Sequence, residues 1–166
     1  MIMVFADIRR LSLASIFACG CSPSIDEMGP RGVAERVVAA MNDADIPLFF
    51  NALPSEAALA RALRCSPNHS LSNALRRVQE EAPATLPLWR EAGVYTKIIR
   101  FDEKNAEVEI LSPGETVRNC TVLEPMEIKR IDITFINRRG GRREETRERW
   151  PFWRFDGDPH WYYTRF

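Results

Sequence analysis

The chain has 166 residues, of which 45% are hydrophobic and 28% charged, a mixture that fits one globular domain and excludes wholesale disorder. Lys+Arg and Asp+Glu number 23 each, so the formal net charge is zero and nothing in the balance marks a nucleic-acid binder. With 11 Pro and 8 Gly, the sequence is neither collagen-like nor low-complexity.

The N-terminus reads as an address. Arg9 and Arg10 precede a short, mostly apolar run from Leu11 to Ala18, which ends at Cys19-Gly20-Cys21-Ser22. A run this short rises only about 12 Å as a helix, well under the ~20 residues a membrane span needs. A basic flank, a short apolar core and small residues at its end are features of a signal peptide. The segment resembles the lipobox of bacterial lipoproteins, in which an aliphatic residue and two small ones precede a Cys. Two registers fit: Ile16-Phe17-Ala18-Cys19, with a bulky Phe17, and Ala18-Cys19-Gly20-Cys21, with Ala in the aliphatic place. The resemblance implies cleavage before Cys19 or Cys21 and lipidation of that residue. The partner would then be the membrane, reached through the acyl chains. Neither Gly20 nor Ser22 is the Asp that holds enterobacterial lipoproteins at the inner membrane. By that analogy the chain belongs on the periplasmic face of the outer membrane of a bacterial cell envelope. Plain secretion is the first alternative, and an apolar N-terminal helix of the mature fold is the second.

The division that follows is a signal peptide over 1–20, a tether over 21–32 containing Pro23, Gly29, Pro30 and Gly32, and one domain over 33–166. Cys65 and Cys120 remain as an even pair, which in an exported domain is a candidate disulfide. The alternative is two separate buried thiols. A bridge across so long a loop is worth about 4 kcal/mol in the chain-entropy account. No CxxC or His-containing cluster points to zinc, and no metal or cofactor is expected.

The first part of the domain has helical periodicity. Val33, Ala34, Val37, Val38 and Met41 predict an amphipathic helix over 33–42, broken by Asn42-Asp43-Ala44-Asp45. Asp45 is a candidate N-cap and Pro47 suits the first turn of a short second helix carrying Leu48, Phe49, Phe50 and Leu53. Ser55 caps a third helix, with Ala58, Leu59, Ala62 and Leu63 inward. Ser70 or Ser72 opens a fourth, with Leu71, Leu75 and Val78 on one stripe, which Pro83 and Pro87 are expected to interrupt. Leu86, Leu88 and Trp89 make an apolar patch before Gly93.

From Val94 the period falls to two. Strands are predicted over 95–101, 107–111, 117–123, 128–138, 142–155 and 161–166, with turns at Asp102–Asn105, Ser112–Glu115, Gly140-Gly141 and Asp156–Pro159. The plan is α+β: three to four N-terminal helices packed on a curved antiparallel sheet of about six strands. Three passages carry a family likeness. Val33–Leu53 is similar to the opening helix, polar break and second helix of the NTF2-like (cystatin-like, cone-shaped) superfamily. The long hairpin Ile128–Phe155 resembles its central strand pair, and Trp153-Arg154-Phe155-Asp156-Gly157-Asp158-Pro159-His160-Trp161-Tyr162 resembles its closing hairpin. The resemblance implies a cone with a pocket between sheet and helices. It leaves the function open, because that superfamily hosts enzymes, small-molecule binders and dimeric adaptors.

A two-residue turn at Gly140-Gly141 fixes the hairpin register. Ile131 then opposes Trp150, Asp132 opposes Arg149, Ile133 opposes Glu148 and Phe135 opposes Thr146. If the face carrying Ile131, Ile133, Phe135 and Trp150 lines a pocket, Glu148 is a carboxylate in an apolar wall, a setting that suits general acid–base work. Otherwise it reaches solvent or pairs with an arginine. Asp132 and Arg149 are expected to form a cross-strand ion pair. His69 and His160 are the chain's only histidines, and neither has a carboxylate placed beside it by the sequence. Arg138, Arg139, Arg142, Arg143, Arg147 and Arg149 gather around the turn, offset by Glu144, Glu145 and Glu148. They read as a solubilised strand pair or as a basic hairpin for anionic lipid headgroups or an acidic partner. Phe152, Trp153, Phe155, Trp161, Tyr162 and Tyr163 crowd the C-terminus, too many for one face of one strand, which hints at a surface for a protein partner or a homodimer.

The expectation is a non-enzymatic envelope protein that binds a partner or a small apolar ligand at the concave sheet face, through Ile131, Ile133, Phe135, Trp150, Trp153 and Trp161. The rival is a small hydrolase or isomerase of the pocketed type using Glu148, Asp132 or His160 as proton carrier. No nucleophile elbow and no phosphate-cradling Gly loop is present.

Overall fold

The structure is a computed structural model and describes residues 29–66 and 71–165. Cys19, Cys21, the signal segment and His69 lie outside the described residues. Four helices appear among those described: α1 (Pro30–Asp43), α2 (Ile46–Asn51), α3 (Glu56–Ala62) and α4 (Leu71–Glu91). The strands are β1 (Leu63–Cys65), β2 (Tyr95–Leu111), β3 (Thr116–Val117), β4 (Cys120–Val122), β5 (Met126–Arg139), β6 (Arg142–Phe155) and β7 (Tyr162–Tyr163).

The helix starts follow their caps. Asp45 Oδ1 accepts the Leu48 N–H at 2.9 Å, and Ser55 Oγ accepts the Ala58 N–H at 3.0 Å. The fourth helix departs from expectation: it runs through Pro83 and Pro87 to Glu91. The reason is its buried stripe, which continues from Leu71 and Leu75 to Ala82 and Leu86. The carbonyls that lose a donor are those of Gln79 and Pro83, four residues back, and Gln79 is half-buried and Pro83 exposed, so water can reach them. The helix stops at Gly93, whose φ of 64° is open to glycine and whose N–H donates to the Arg90 carbonyl.

The strands form two antiparallel sheets, ordered β1-β4-β3 and β2-β5-β6-β7, in place of the single sheet of about six strands. Asp102–Asn105 does not turn the chain back. The backbone bulges there: Asp102 pairs with Asp132 and Glu107 with Arg130, so Glu103 to Ala106 stand opposite Ile131 alone. The expected strand over 117–123 is instead the tight hairpin of β3 and β4. The Gly140-Gly141 turn gives the expected register, with Ile131 opposite Trp150, Ile133 opposite Glu148 and Phe135 opposite Thr146.

Burial along this hairpin changes parity. On β5 the buried residues are Met126 and Ile128, then Ile131, Ile133 and Phe135; on β6 they are Trp150 and Phe152, then Trp153 and Phe155. Successive residues of a strand face opposite ways. The large sheet therefore buries one face beneath α1 and the other face beside β3. This accommodates the aromatic crowd: Phe152 and Trp153 are neighbours, and both are fully buried. Trp161 is buried as well, covered by the Lys129 ammonium at 4.7 Å and the Arg154 guanidinium at 5.0 Å from its ring. Cys65 and Cys120 are direct partners across the β1–β4 pair and form a disulfide.

Candidate functional site

The helices do not close fully on the large sheet. A cleft of about 300 Å³ remains, at the low end of the range for small-molecule sites. Met41 of α1, Phe49 and Leu53 at α2, and Val78, Ala82 and Leu86 of α4 wall it, with Tyr163 of β7 opposite. Glu81, Thr85 and Arg165 supply its polar groups, and the half-exposed Trp89 stands at the rim. The amphipathic stripe of α4 builds this wall directly. Tyr163 is placed by its own N–H, which donates to the Ala52 carbonyl at 2.8 Å. Burial, only partly offset by Arg165, pushes the Tyr163 phenol up to about 12, so it stays protonated at neutral pH.

Arg165 forms an ion pair with Glu148. Glu148 also accepts the Trp150 Nε1–H at 2.8 Å. Glu148 thus faces the side that the hairpin register assigns it, but beside a cavity of only about 80 Å³. Val38, Met41, Phe135 and Trp150 supply the apolar part of that cavity, and Thr96, Asn137 and Thr146 the polar part. These polar groups form a ladder across three strands. Thr96 Oγ1 donates to Asn137 Oδ1, and Asn137 Nδ2 donates to Thr146 Oγ1, each at 2.9 Å.

Of the sheet residues expected to bind, Ile131 and Ile133 are fully buried, Phe135 and Trp150 line the small cavity, and Trp153 and Trp161 are covered from outside. They form the floor of the core, and the open cleft lies beside them, against the helices.

Asp132 lies on the opposite, charged face. It accepts hydrogen bonds from Arg149 Nε at 2.8 Å and Arg147 at 2.6 Å. These hydrogen bonds hold its carboxyl down at about 2. A carboxylate this firmly ionised and this firmly paired is a structural anchor, unsuited to carrying a proton near neutrality.

His160 has a carboxylate partner that the sequence did not reveal. Its Nδ1 lies 2.7 Å from Asp158 Oδ1, which also accepts the His160 backbone N–H at 3.0 Å; Tyr162 donates its hydroxyl to Oδ2 at 2.8 Å. Burial pushes the Asp158 carboxyl up, but the three donors outweigh it and hold it below the usual range. Asp158 borders an open cleft of about 580 Å³ with Met126, Glu127 and Arg154. The turn chemistry of Gly157-Asp158-Pro159 was legible. The contact with His160 depends on a two-residue step in loop backbone, which no periodicity encodes.

Among the described residues no group of three or more His, Cys, Asp or Glu is placed to hold a metal ion, and no helix is long and apolar enough to cross a membrane. Comparison with family models, curated proteins and solved structures found no match to this chain.

Proposed function

We propose that this chain is an extracytoplasmic binding domain that takes a small apolar ligand in the cleft between α4 and the C-terminal segment. The observation that carries this reading is the cleft itself: an apolar hollow with few polar groups, walled by three helices and bordered by Trp89. The disulfide is consistent with an oxidising compartment. The lipobox-like start supports a membrane tether on Cys19 or Cys21. The opening helices set against a bulged antiparallel sheet support the NTF2-like cone as the architecture.

Titration with the neutral apolar fluorophore N-phenyl-1-naphthylamine tests the binding site. Saturable enhancement is expected, together with its loss in Thr85→Phe, which fills the cleft from a half-buried position on α4. No saturation, or no effect of Thr85→Phe, would overturn the assignment. Intact mass from a bacterial membrane fraction tests the anchor: acyl mass on a chain shortened to Cys19 or Cys21 is the expected result.

One observation favours the enzyme reading, the Asp158–His160 contact. The same carboxylate is also engaged by the His160 backbone and the Tyr162 hydroxyl, an arrangement that orders the turn before β7. Binding is therefore the reading we place first.

A further inference from the structure

The outer face of the large sheet, away from α1, carries another cleft, of about 490 Å³. Arg118, Arg130, Arg149 and Arg165 line it. They come from four places in the chain: the β3–β4 turn, β5, β6 and the C-terminal segment. Glu109 is the one acid among its lining residues. Guanidinium groups converging from separate elements repel one another, and an anion seated between them relieves that repulsion.

The β3–β4 turn gives this convergence its shape. Arg118 and Asn119 both adopt left-handed backbone, with φ of 46° and 61°, a conformation disfavoured for residues with a side chain. The turn sets the Arg118 guanidinium 5.5 Å from the centre of the Trp153 ring. Partial burial, then the charge of Arg130, lower the Arg118 pKa. Arg130 is fixed by Glu107 at 3.0 Å and Glu109 at 2.8 Å, and Arg149 by Asp132 at 2.8 Å. These ion pairs hold the arginines in position before any ligand arrives. A guanidinium carries five N–H donors in a planar fork, so one held along one edge still presents the others.

We propose that this cleft binds a phosphate monoester. The choice over a carboxylate follows from the number of forks. Arg130 already holds Glu107 and Glu109, Arg149 holds Asp132 and Arg165 holds Glu148, so a ligand must reach the edges these pairs leave open, and three terminal oxygens can engage several forks at once where a carboxylate has only two. The choice over bare phosphate follows from size, since the cleft leaves room for the organic part of an ester. The ester group can come from a soluble metabolite or from the headgroup of phosphatidic acid. The site is separate from the apolar cleft, although Arg165 borders both.

The test uses calorimetric titration with glycerol 3-phosphate, and sedimentation with phosphatidylcholine vesicles with and without phosphatidic acid. Wild type is compared with Arg118→Gln, which removes the charge but keeps a side chain at the left-handed position. Arg143→Gln, at the far tip of the β5–β6 hairpin, is the control for net charge. Binding in at least one arm is expected. It should weaken roughly tenfold or more in Arg118→Gln and hold in Arg143→Gln. Binding of the soluble ester names a free ligand; binding only to phosphatidic acid vesicles names the lipid. No saturable binding in either arm, or an equal loss in both variants, overturns the site. If Arg118→Gln fails to fold, Arg118→Lys keeps the charge without the fork, and the same loss is expected of it.

Discussion

The side-chain amide of Asn42 pairs with both backbone groups of Thr96, donating to its carbonyl at 2.8 Å and accepting its N–H at 2.8 Å. A helix end is thereby hydrogen-bonded to a strand as though it were another strand. The pairing lies next to the start of β2, and Thr96 also lines the small cavity beside Glu148. Arg90 adds a second tie, donating to the Asp43 carbonyl at 3.1 Å, so the C-terminal ends of α1 and α4 and the start of β2 meet at one corner.

Replacing Asn42 with Ala removes a donor and an acceptor together and leaves the partly buried Thr96 groups unpaired. A loss of about 1–3 kcal/mol is expected. Urea unfolding followed by tryptophan fluorescence measures it, with the slope unchanged if the loss is in native stability alone.

Acid should weaken the protein through Asp132. Its folded pKa of about 2 lies below the 3.8 of an unperturbed Asp, because of its hydrogen bonds to Arg149 and Arg147. A depressed carboxylate contributes stability above its unfolded pKa and loses it as pH falls toward the folded value. The loss should therefore appear between about pH 4 and pH 2, and Asp132→Asn should flatten that part of the stability profile. Asp158, also held low, acts in the same direction. Urea midpoints collected across this range, for wild type and Asp132→Asn, decide the matter; parallel profiles would refute the role given to Asp132.

Reduction should raise the intact mass by two hydrogens for the Cys65–Cys120 bridge. The double variant Cys65→Ser, Cys120→Ser should be less stable by about 4 kcal/mol if the entropy of the unfolded chain governs the effect. The bridge joins the strand that follows α3 to a strand beyond α4 and β2, so its loss should also loosen the small sheet. Hydrogen exchange at Leu63–Cys65 and Cys120–Val122 reports that directly.

The long hairpin was legible because a glycine pair fixes its turn and a period of two does the rest. The register from Arg139–Arg142 to Ile131–Trp150 follows from counting. The caps at Asp45 and Ser55 were legible for the same local reason. Three features were not. The bulge at Glu103–Ala106 has the composition of a turn, and only pairing with β5 on both sides keeps the strand continuous. The prolines of α4 signal a break locally, and the burial of Ala82 and Leu86 overrides it. The change of buried face between Phe152 and Trp153 reflects twist and bulging of the whole sheet, which alternation within one strand cannot express.

Site legibility follows the same division. Glu148 was placed on the correct face by register, but its tie to Arg165 depends on how the C-terminal segment runs back along β6, where the Thr164 N–H donates to the Pro151 carbonyl. The apolar cleft draws on residues from Met41 to Arg165, and the arginine cleft on residues from Glu109 to Arg165. Such sets are assembled by the fold and leave no spacing to read.

The position of the disulfide also sets a clock. Cys65 is synthesised 55 positions before Cys120. At ~5–20 residues per second, about 3–11 s pass between the appearance of the first thiol and the second. During that interval α4 and β2 emerge, while Cys65 must remain a thiol or be held by an oxidising catalyst. The covalent closure of this domain is thus a late event in the life of each chain, and its yield depends on what Cys65 meets while it waits.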